Sequence, residues 1–386
     1  MFHYLNNIVV MNSIKFLICR FYFYVINKKN RARILRDYKE CIEANPELAN
    51  PAKGEKEWLA KWRRIDDRVS PLSYRIFSRY IGADINILPL ETCCIFIEPL
   101  LTPFQKADFY LDKNSFSLLY EKEEMPETYI HNVGGIYLDA NFKPLEKELY
   151  EYFKKDEIVV KPSTESSGKG FSLFAKKGNQ YVDKYGNVLS INYLNTQYKS
   201  DFIIQERFIQ SQFMAQFNPT SLNTIRIATF RDINSGQFKY LRGLARIGGK
   251  DAIVDNAHAG GRFIGIDDDG RFGSYVCDNI GRKSNCHNGI DFSKTQFIVP
   301  NYYLIKEFAI KISEKFIHHN LLALDIILDQ DNNPKILEVN IQGFSSWLFQ
   351  FTSGSAFREY TTEIIEYCSY NKNKLDISIH SKFINR

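Results

Sequence analysis

Leu321-Leu322-Ala323-Leu324-Asp325-Ile326-Ile327-Leu328 is an apolar run with one carboxylate in its middle. It is followed by the turn signal Gln330-Asp331-Asn332-Asn333-Pro334 and by Ile336-Leu337-Glu338-Val339-Asn340. Strand, polar turn and return strand predict a β-hairpin. With Asp331 and Asn332 at its apex, Asp325 falls opposite Glu338, and Asn340 shares their face two residues on. Like charges directly opposed in an apolar sheet are destabilising. A bound cation removes the conflict, and two carboxylates with an amide oxygen are hard ligands that suit Mg²⁺. A carboxylate pair sharing one proton is the alternative reading.

Upstream, Asn223-Thr224-Ile225-Arg226-Ile227-Ala228-Thr229-Phe230 alternates with period two, sending Thr224, Arg226 and Ala228 to one face and Ile225 and Ile227 to the other. An arginine between small residues has the room that a phosphate or carboxylate clamp needs. Arg242 and Arg246 share a face on the strand that follows, and surface salt bridges are the alternative reading, a better one for Arg242 than for Arg226. Val254-Asp255-Asn256-Ala257-His258-Ala259-Gly260-Gly261 ends in a glycine pair that lets backbone approach a ligand, or simply makes a turn.

Further upstream, Ile158-Val159-Val160-Lys161-Pro162 leads into Ser163-Thr164-Glu165-Ser166-Ser167-Gly168-Lys169-Gly170, and then into the strand-like Phe171-Ser172-Leu173-Phe174-Ala175. Small residues let backbone N–H groups approach phosphate oxygens, and the lysines add positive charge. A Walker A loop would open a helix after Lys-Ser or Lys-Thr, whereas Gly170 here precedes a strand. Strand, glycine-rich flap and strand is one way of covering nucleotide phosphates, and an ordinary polar hairpin has similar composition. Asp201-Phe202-Ile203-Ile204-Gln205-Glu206-Arg207-Phe208-Ile209 reads as a buried strand entering a polar connector that can hold an adenine edge and face.

The 386 residues are too many for one core, which implies subdomains, and 44% hydrophobic with 25% charged residues is ordinary for a globular protein. A net charge of +5 is too diffuse to imply a nucleic-acid partner and is compatible with anionic small substrates. The seven cysteines lack zinc-site spacing and read as reduced, cytosolic thiols. Residues 8–26 are apolar and aromatic, but Asn12, Lys15 and Arg20 interrupt them and no small-residue cleavage site follows, so neither a spanning helix nor a signal peptide is predicted. With Lys28, Lys29, Arg31, Arg33 and Arg36 next, the segment is a helix packed on the body or a peripheral membrane contact at the inner face of the membrane, and Met11 is a second candidate start. Trp58, Trp62, Ile65 and Val69 have helical spacing suited to packing, and from Ile85 onward short β-like runs alternate with turns.

In this order, Lys161 with its flap, Gln205-Glu206, Asn223-Thr224-x-Arg226, Asp255-Asn256…Gly260-Gly261 and Asp325…Glu338-x-Asn340 resemble the ATP-grasp enzymes. The Asn-Thr-x-Arg and Asp-Asn…Gly-Gly signatures look most like the sugar-transfer associated branch. Glu98-Pro99-Leu100 and Leu111-Asp112-Lys113-Asn114 are similar to its pre-grasp segment, and the likeness spans about residues 75–365. The resemblance implies an α+β fold in which two subdomains clamp ATP. The chain would then divide into an N-terminal helical region (1–74), a pre-grasp region (75–157), an N-terminal grasp core (158–205), a C-terminal grasp subdomain (206–368) and a tail (369–386).

It also implies roles. Lys161, Ser163, Ser166, Ser167, Gly168, Lys169 and Gly170 would hold ATP phosphates, and Gln205, Glu206, Arg207, Phe208 and Ile209 adenine. Asp325, Glu338 and Asn340 would bind Mg²⁺, with Arg226, Arg246, Asn223 and His258 around the transfer point. The implied activity is a carboxylate–amine (or thiol) ligase acting through an acylphosphate, its partners a small-molecule or sugar-acid carboxylate and an amine acceptor in surface-polysaccharide biosynthesis. A kinase of the same fold and a non-catalytic nucleotide-binding component are the alternatives. Residues 210–220 lack the acidic residue with which the family usually contacts ribose.

Overall fold

Period-two alternation is realised in two antiparallel sheets, which hold the charged residues singled out above. The computed structural model describes residues 2–165, 170–250 and 260–375. The smaller sheet contains β1 (Thr128–Val133), β2 (Ile136–Asp139), β3 (Glu157–Pro162), β4 (Ser172–Lys177), β5 (Gln180–Asp183) and β6 (Phe202–Glu206), in the order β2-β1-β6-β3-β4-β5. Its edge strand β2 and the adjoining β1 come from the stretch assigned to the pre-grasp region. Ile130, Ile158, Val160, Phe174, Phe202 and Ile204 form its core, with Leu194 of helix Ile191–Gln197.

The larger sheet has the order β11-β10-β9-β8-β7-β14-β15. Its strands are β7 (Thr224–Arg231), β8 (Phe238–Ile247), β9 (Arg262–Ile266), β10 (Val276–Cys277), β11 (Lys283–Ser284), β14 (Leu321–Leu328) and β15 (Pro334–Asn340), while β12 (Cys286–His287) and β13 (Ile290–Asp291) make a separate ribbon. One face buries Ile225, Ile227, Ala245, Leu322, Leu324 and Ile326 against Ile305, Ala309 and Ile312 of helix Tyr302–Glu314. The opposite face buries Ala228, Phe230, Leu244, Leu321 and Ala323 beneath Trp58, Trp62, Phe77, Phe349 and Ile364, so the helical N-terminal region roofs one end of this face.

The β-like runs expected after Ile85 are helical instead. Leu90–Thr92, the π-helical turn Cys93–Ile97 and Glu98–Leu101 follow one another, and further short helical turns continue to Glu124. Ile95, Ile97 and Leu101 are fully buried in the helical roof, and this tertiary burial overrides the strand propensity of isoleucine. Helix α1 (Phe2–Ala44) packs through Ile34, Tyr38 and Cys41, and Arg31 pairs with Asp66 at 2.8 Å. Toward its N-terminus Leu17, Ile18, Phe21, Tyr22 and Tyr24 are exposed. Among the described residues, no helix is long and apolar enough to cross a membrane. The cysteines described as free include Cys93, Cys94, Cys277 and Cys286.

Candidate functional site

The hairpin places Asp325 opposite Glu338, but not through the two-residue apex expected. Near the turn the pairs are Leu328 with Pro334, Ile327 with Lys335 and Ile326 with Ile336. The Asp329 carboxylate accepts the N–H groups of Asp331 (3.0 Å) and Asn333 (2.8 Å), and Asn332 takes φ 64°. A bulge then shifts the register between Ile326 and Asp325, leaving Leu337 as the extra residue. Without it Asp325 would face Leu337. The bulge re-aims Glu338 and Asn340 onto the face that carries Asp325.

On the other flank Asp325 pairs with Arg226 of β7, so a row of Arg226, Asp325 and Glu338 crosses three neighbouring strands. Arg226 grips Asp325 bidentately, Nε to Oδ1 at 2.7 Å and Nη2 to Oδ2 at 2.7 Å. Arg246 Nη1 reaches Oδ2 at 3.1 Å and Asn340 Nδ2 reaches it at 3.2 Å. Asp325 is 2% exposed. Burial opposes its ionisation, yet Arg226 and Arg246 outweigh that and hold its pKa below the usual carboxylate value. The charge conflict read from the hairpin alone is thus relieved in part by guanidinium groups from β7 and β8.

Lys161, near the end of β3, is half-buried. Burial, helped by nearby Lys113 and opposed by Glu338, lowers its pKa to about 7. Lys113 is itself buried, which lowers its pKa, while Glu338 pulls the other way. Its Nζ donates to the carbonyls of Glu165 (2.6 Å) and Ser163 (3.3 Å), the root of the expected flap. Lys113 is thus a site residue that motif reading placed only in the pre-grasp segment. Its one local signal is the Asx turn in which Asp112 caps Asn114, which says nothing about where the lysine points. Lys113 thus ties the helical segment to the small sheet, and the charge of Glu338 on the large sheet is felt by both lysines.

Gly170 makes a turn at φ 70°, and a Cβ there would lie 2.7 Å from Pro162 Cγ, so the flap's return requires glycine. Ser163 is buried, its N–H donating to Asp201 at 2.8 Å. Ser166, Ser167, Gly168 and Lys169 lie outside the described residues, as do Asp255, Asn256 and His258.

Along the connector, Gln205 Nε2 donates to Thr128 at 2.7 Å, Glu206 accepts the Glu127 N–H at 2.9 Å, and Arg207 pairs with Glu157 at 2.7 Å. These side chains brace the small sheet. Phe208 is half-buried and Ile209 is 61% exposed, so the connector leaves apolar surface open.

Asn223 is a brace as well. Its Nδ2 donates to Met214 and Asn218 carbonyls, both at 2.9 Å, and its Oδ1 accepts from Ser221 Oγ (2.7 Å) and Gly248 N (3.1 Å). With its amide committed to these four bonds, Asn223 anchors the loop that leads into β7. Glu98 does the same for the loop after Asn340, accepting the N–H groups of Gly343 (3.2 Å) and Phe344 (3.0 Å), while burial raises its pKa.

Among the described residues, no group of three or more His, Cys, Asp or Glu side chains is arranged for a metal. The nearest approach to a cation site is the mixed set Asp325, Glu338 and Asn340, whose third donor is an amide.

The sequence profile of the sugar-transfer associated ATP-grasp family matches residues 99–366. No curated protein matches the chain. Among solved structures, D-alanine–D-alanine ligase from Bacillus anthracis, complexed with ATP, has TM-score 0.36 and 13% identity over 70% of this chain and 69% of its own. The L-amino acid ligase from Bacillus licheniformis has TM-score 0.37 and 13% identity over 69% of this chain and 49% of its own. Likenesses this distant carry no argument about chemistry. The profile spans both sheets, the Lys161 and Lys113 side and the Arg226–Asp325–Glu338 row alike, and the chain belongs to the sugar-transfer associated ATP-grasp family.

Proposed function

We propose that the protein is an ATP- and Mg²⁺-dependent ligase that activates a carboxylate as an acylphosphate and passes the acyl group to an amine or thiol. The observation that carries this reading is the convergence of Lys161 and Lys113 on Glu338, beside the Arg226–Asp325–Arg246 cluster. Four cations and two carboxylates around one cleft suit a polyanion and a developing negative charge. Lys161 and Lys113 bind the phosphates, and Phe208 and Ile209 cover adenine. Arg226 and Arg246, preorganised by Asp325, stabilise charge on the transferring phosphoryl group and on the later tetrahedral intermediate.

The donor set fits Mg²⁺ through Glu338, through the amide oxygen of Asn340, which uses only its Nδ2 in the bonds described, and through Asp325 Oδ1, which accepts one bond among those described while Oδ2 already accepts three. Bound there, the ion would neutralise phosphate charge. The attacking carboxylate is already ionised at neutral pH and needs no general base. The family's description, sugar-transfer associated, supports a sugar-linked substrate, which we take to be a sugar-acid carboxylate joined to an amine acceptor in surface-polysaccharide assembly.

Hydroxylamine trapping tests the chemistry. With ATP, Mg²⁺ and candidate sugar acids, we expect a hydroxamate, ADP and phosphate, and no AMP. A stable phosphomonoester without hydroxamate would make the protein a kinase instead.

A further inference from the structure

We infer that helix α1 docks the protein on an anionic lipid surface, lying in the interface rather than spanning it. The first 36 residues contain seven Lys or Arg and no Asp or Glu, so the net +5 of the chain resolves into +7 there and −2 over everything that follows. The structure puts four of these seven, Lys28, Lys29, Arg33 and Arg36, on one exposed face, while Arg31 turns inward to Asp66. At about 100° per residue, Asn27, Asn30, Ile34, Tyr38 and Cys41 form the stripe that faces the body, and each of them is buried. Leu17, Ile18, Phe21, Tyr22 and Tyr24 fall on the opposite arc, and so do Lys28, Lys29, Arg33 and Arg36, all exposed.

One continuous outward face therefore runs from apolar and aromatic residues to basic ones. Phe21 is 64% exposed and Tyr22 56%. Large rings left this open cost hydration free energy that burial elsewhere recovers. Tyrosine prefers the boundary between hydrocarbon and headgroup, and the adjoining basic residues are attracted to anionic headgroups. Lys15 and Arg20 interrupt the apolar run and favour a helix lying along the surface over one that crosses it. The body grips α1 through Tyr38, whose hydroxyl donates to Glu91 at 2.8 Å, and through the Arg31–Asp66 pair at 2.8 Å, so the face is held at a fixed angle to the cleft. A protein groove is a poorer match, because the outward face spans about half the helix circumference and up to Arg36 carries basic and no acidic side chains, the charge pattern that an anionic surface complements.

The experiment is co-sedimentation of the full chain with vesicles of phosphatidylcholine alone, or of phosphatidylcholine mixed with phosphatidylglycerol. The wild type is compared with the triple variant Phe21→Ser, Tyr22→Ser, Tyr24→Ser and with the double variant Lys28→Glu, Lys29→Glu. We expect the wild type to pellet with the anionic vesicles only, and raised salt to release it. Each variant should lower the bound fraction by about tenfold while eluting from gel filtration as the wild type does. Wild type remaining in the supernatant with anionic vesicles overturns the inference, as does equal pelleting of all three proteins. Vesicle-independent self-association that the aromatic variant abolishes also overturns it, in favour of pairing between two copies of α1.

Discussion

The two sheets bring opposite electrostatics to the cleft. On the large sheet, Asp325 is enclosed by Arg226, Arg246 and Asn340, so opposite charges cancel within a few ångströms and the carboxyl is held ionised. On the small-sheet side, burial and a second cation, Lys113, disfavour the charged form of Lys161, and among the described residues Glu338 offsets them. One half is already set in its working geometry. The other is short of negative charge, which a nucleotide would supply under the function proposed above. A rigid clamp for the developing charge and a responsive grip for the phosphates are different tasks, and burial with or without a partner separates them.

Replacing Asp325 should break the first half outright. Asp325→Ala removes the buried carboxylate that accepts two bonds from Arg226 and one from Arg246, and breaking a buried pair typically costs about 3–5 kcal/mol. We expect a large drop in the midpoint of thermal unfolding together with loss of activity. A variant that unfolds like the wild type would show that the row is not held by this pair.

Glu338→Gln should separate function from stability. Glu338 stands opposite Asp325 and has no bidentate partner of its own among the contacts described, so neutralising it removes like-charge repulsion. Mg²⁺–ATP-dependent turnover should fall by about 10²–10³-fold, while stability moves by no more than about 1 kcal/mol. Unchanged turnover would remove Glu338 from the proposed metal set.

The smallest effect, and the most diagnostic of the contrast, concerns pH. Lys161 titrates near 7 in the folded protein, against about 10.4 in an unfolded chain. Between these values the unfolded state binds more protons, so the nucleotide-free protein should gain stability as pH rises from about 7 toward 10. Nucleotide binding should run the other way. Phosphates favour the protonated lysine, so affinity should weaken above pH 7, by at most about tenfold per pH unit. In Lys161→Met, denaturant melts and nucleotide titrations across this range should lose both slopes. A wild type in which the two slopes have the same sign would show that Lys161 is not the phosphate grip.

Period-two patterning was enough to orient the residues of the large sheet. Ile225 and Ile227 pack on helix Tyr302–Glu314, while Arg226 turns to the cleft, as alternation along a pleated strand requires. The strand–flap–strand order around Gly170 was also readable, because glycine at positive φ and β-branched flanks are local features. The same local reasoning failed from Ile85 to Glu124. Isoleucine and phenylalanine favour strands only on average, and here an enclosing core selects helix. Asn223 shows another limit. A motif can mark a buried asparagine without revealing whether it meets the ligand or anchors the chain that does.

The sequence by itself determined that Asp325 and Glu338 lie on the two arms of one hairpin, that Lys161 ends a strand before a small-residue loop, and that a basic, aromatic helix precedes the body. These follow from backbone periodicity and turn chemistry, which act over a few residues. Only the tertiary structure decided what surrounds those charges. Arg226 meets Asp325 from 99 positions away, Lys113 joins Lys161 from the helical segment, and Glu98 pins a loop that begins 245 positions later. Even the Asp325–Glu338 pairing depends on a bulge at Leu337 that offsets a one-residue difference at the turn. Coulombic and desolvation energies depend on distances in space, and nothing in local spacing along the chain encodes which distant charge will come to lie beside a buried one.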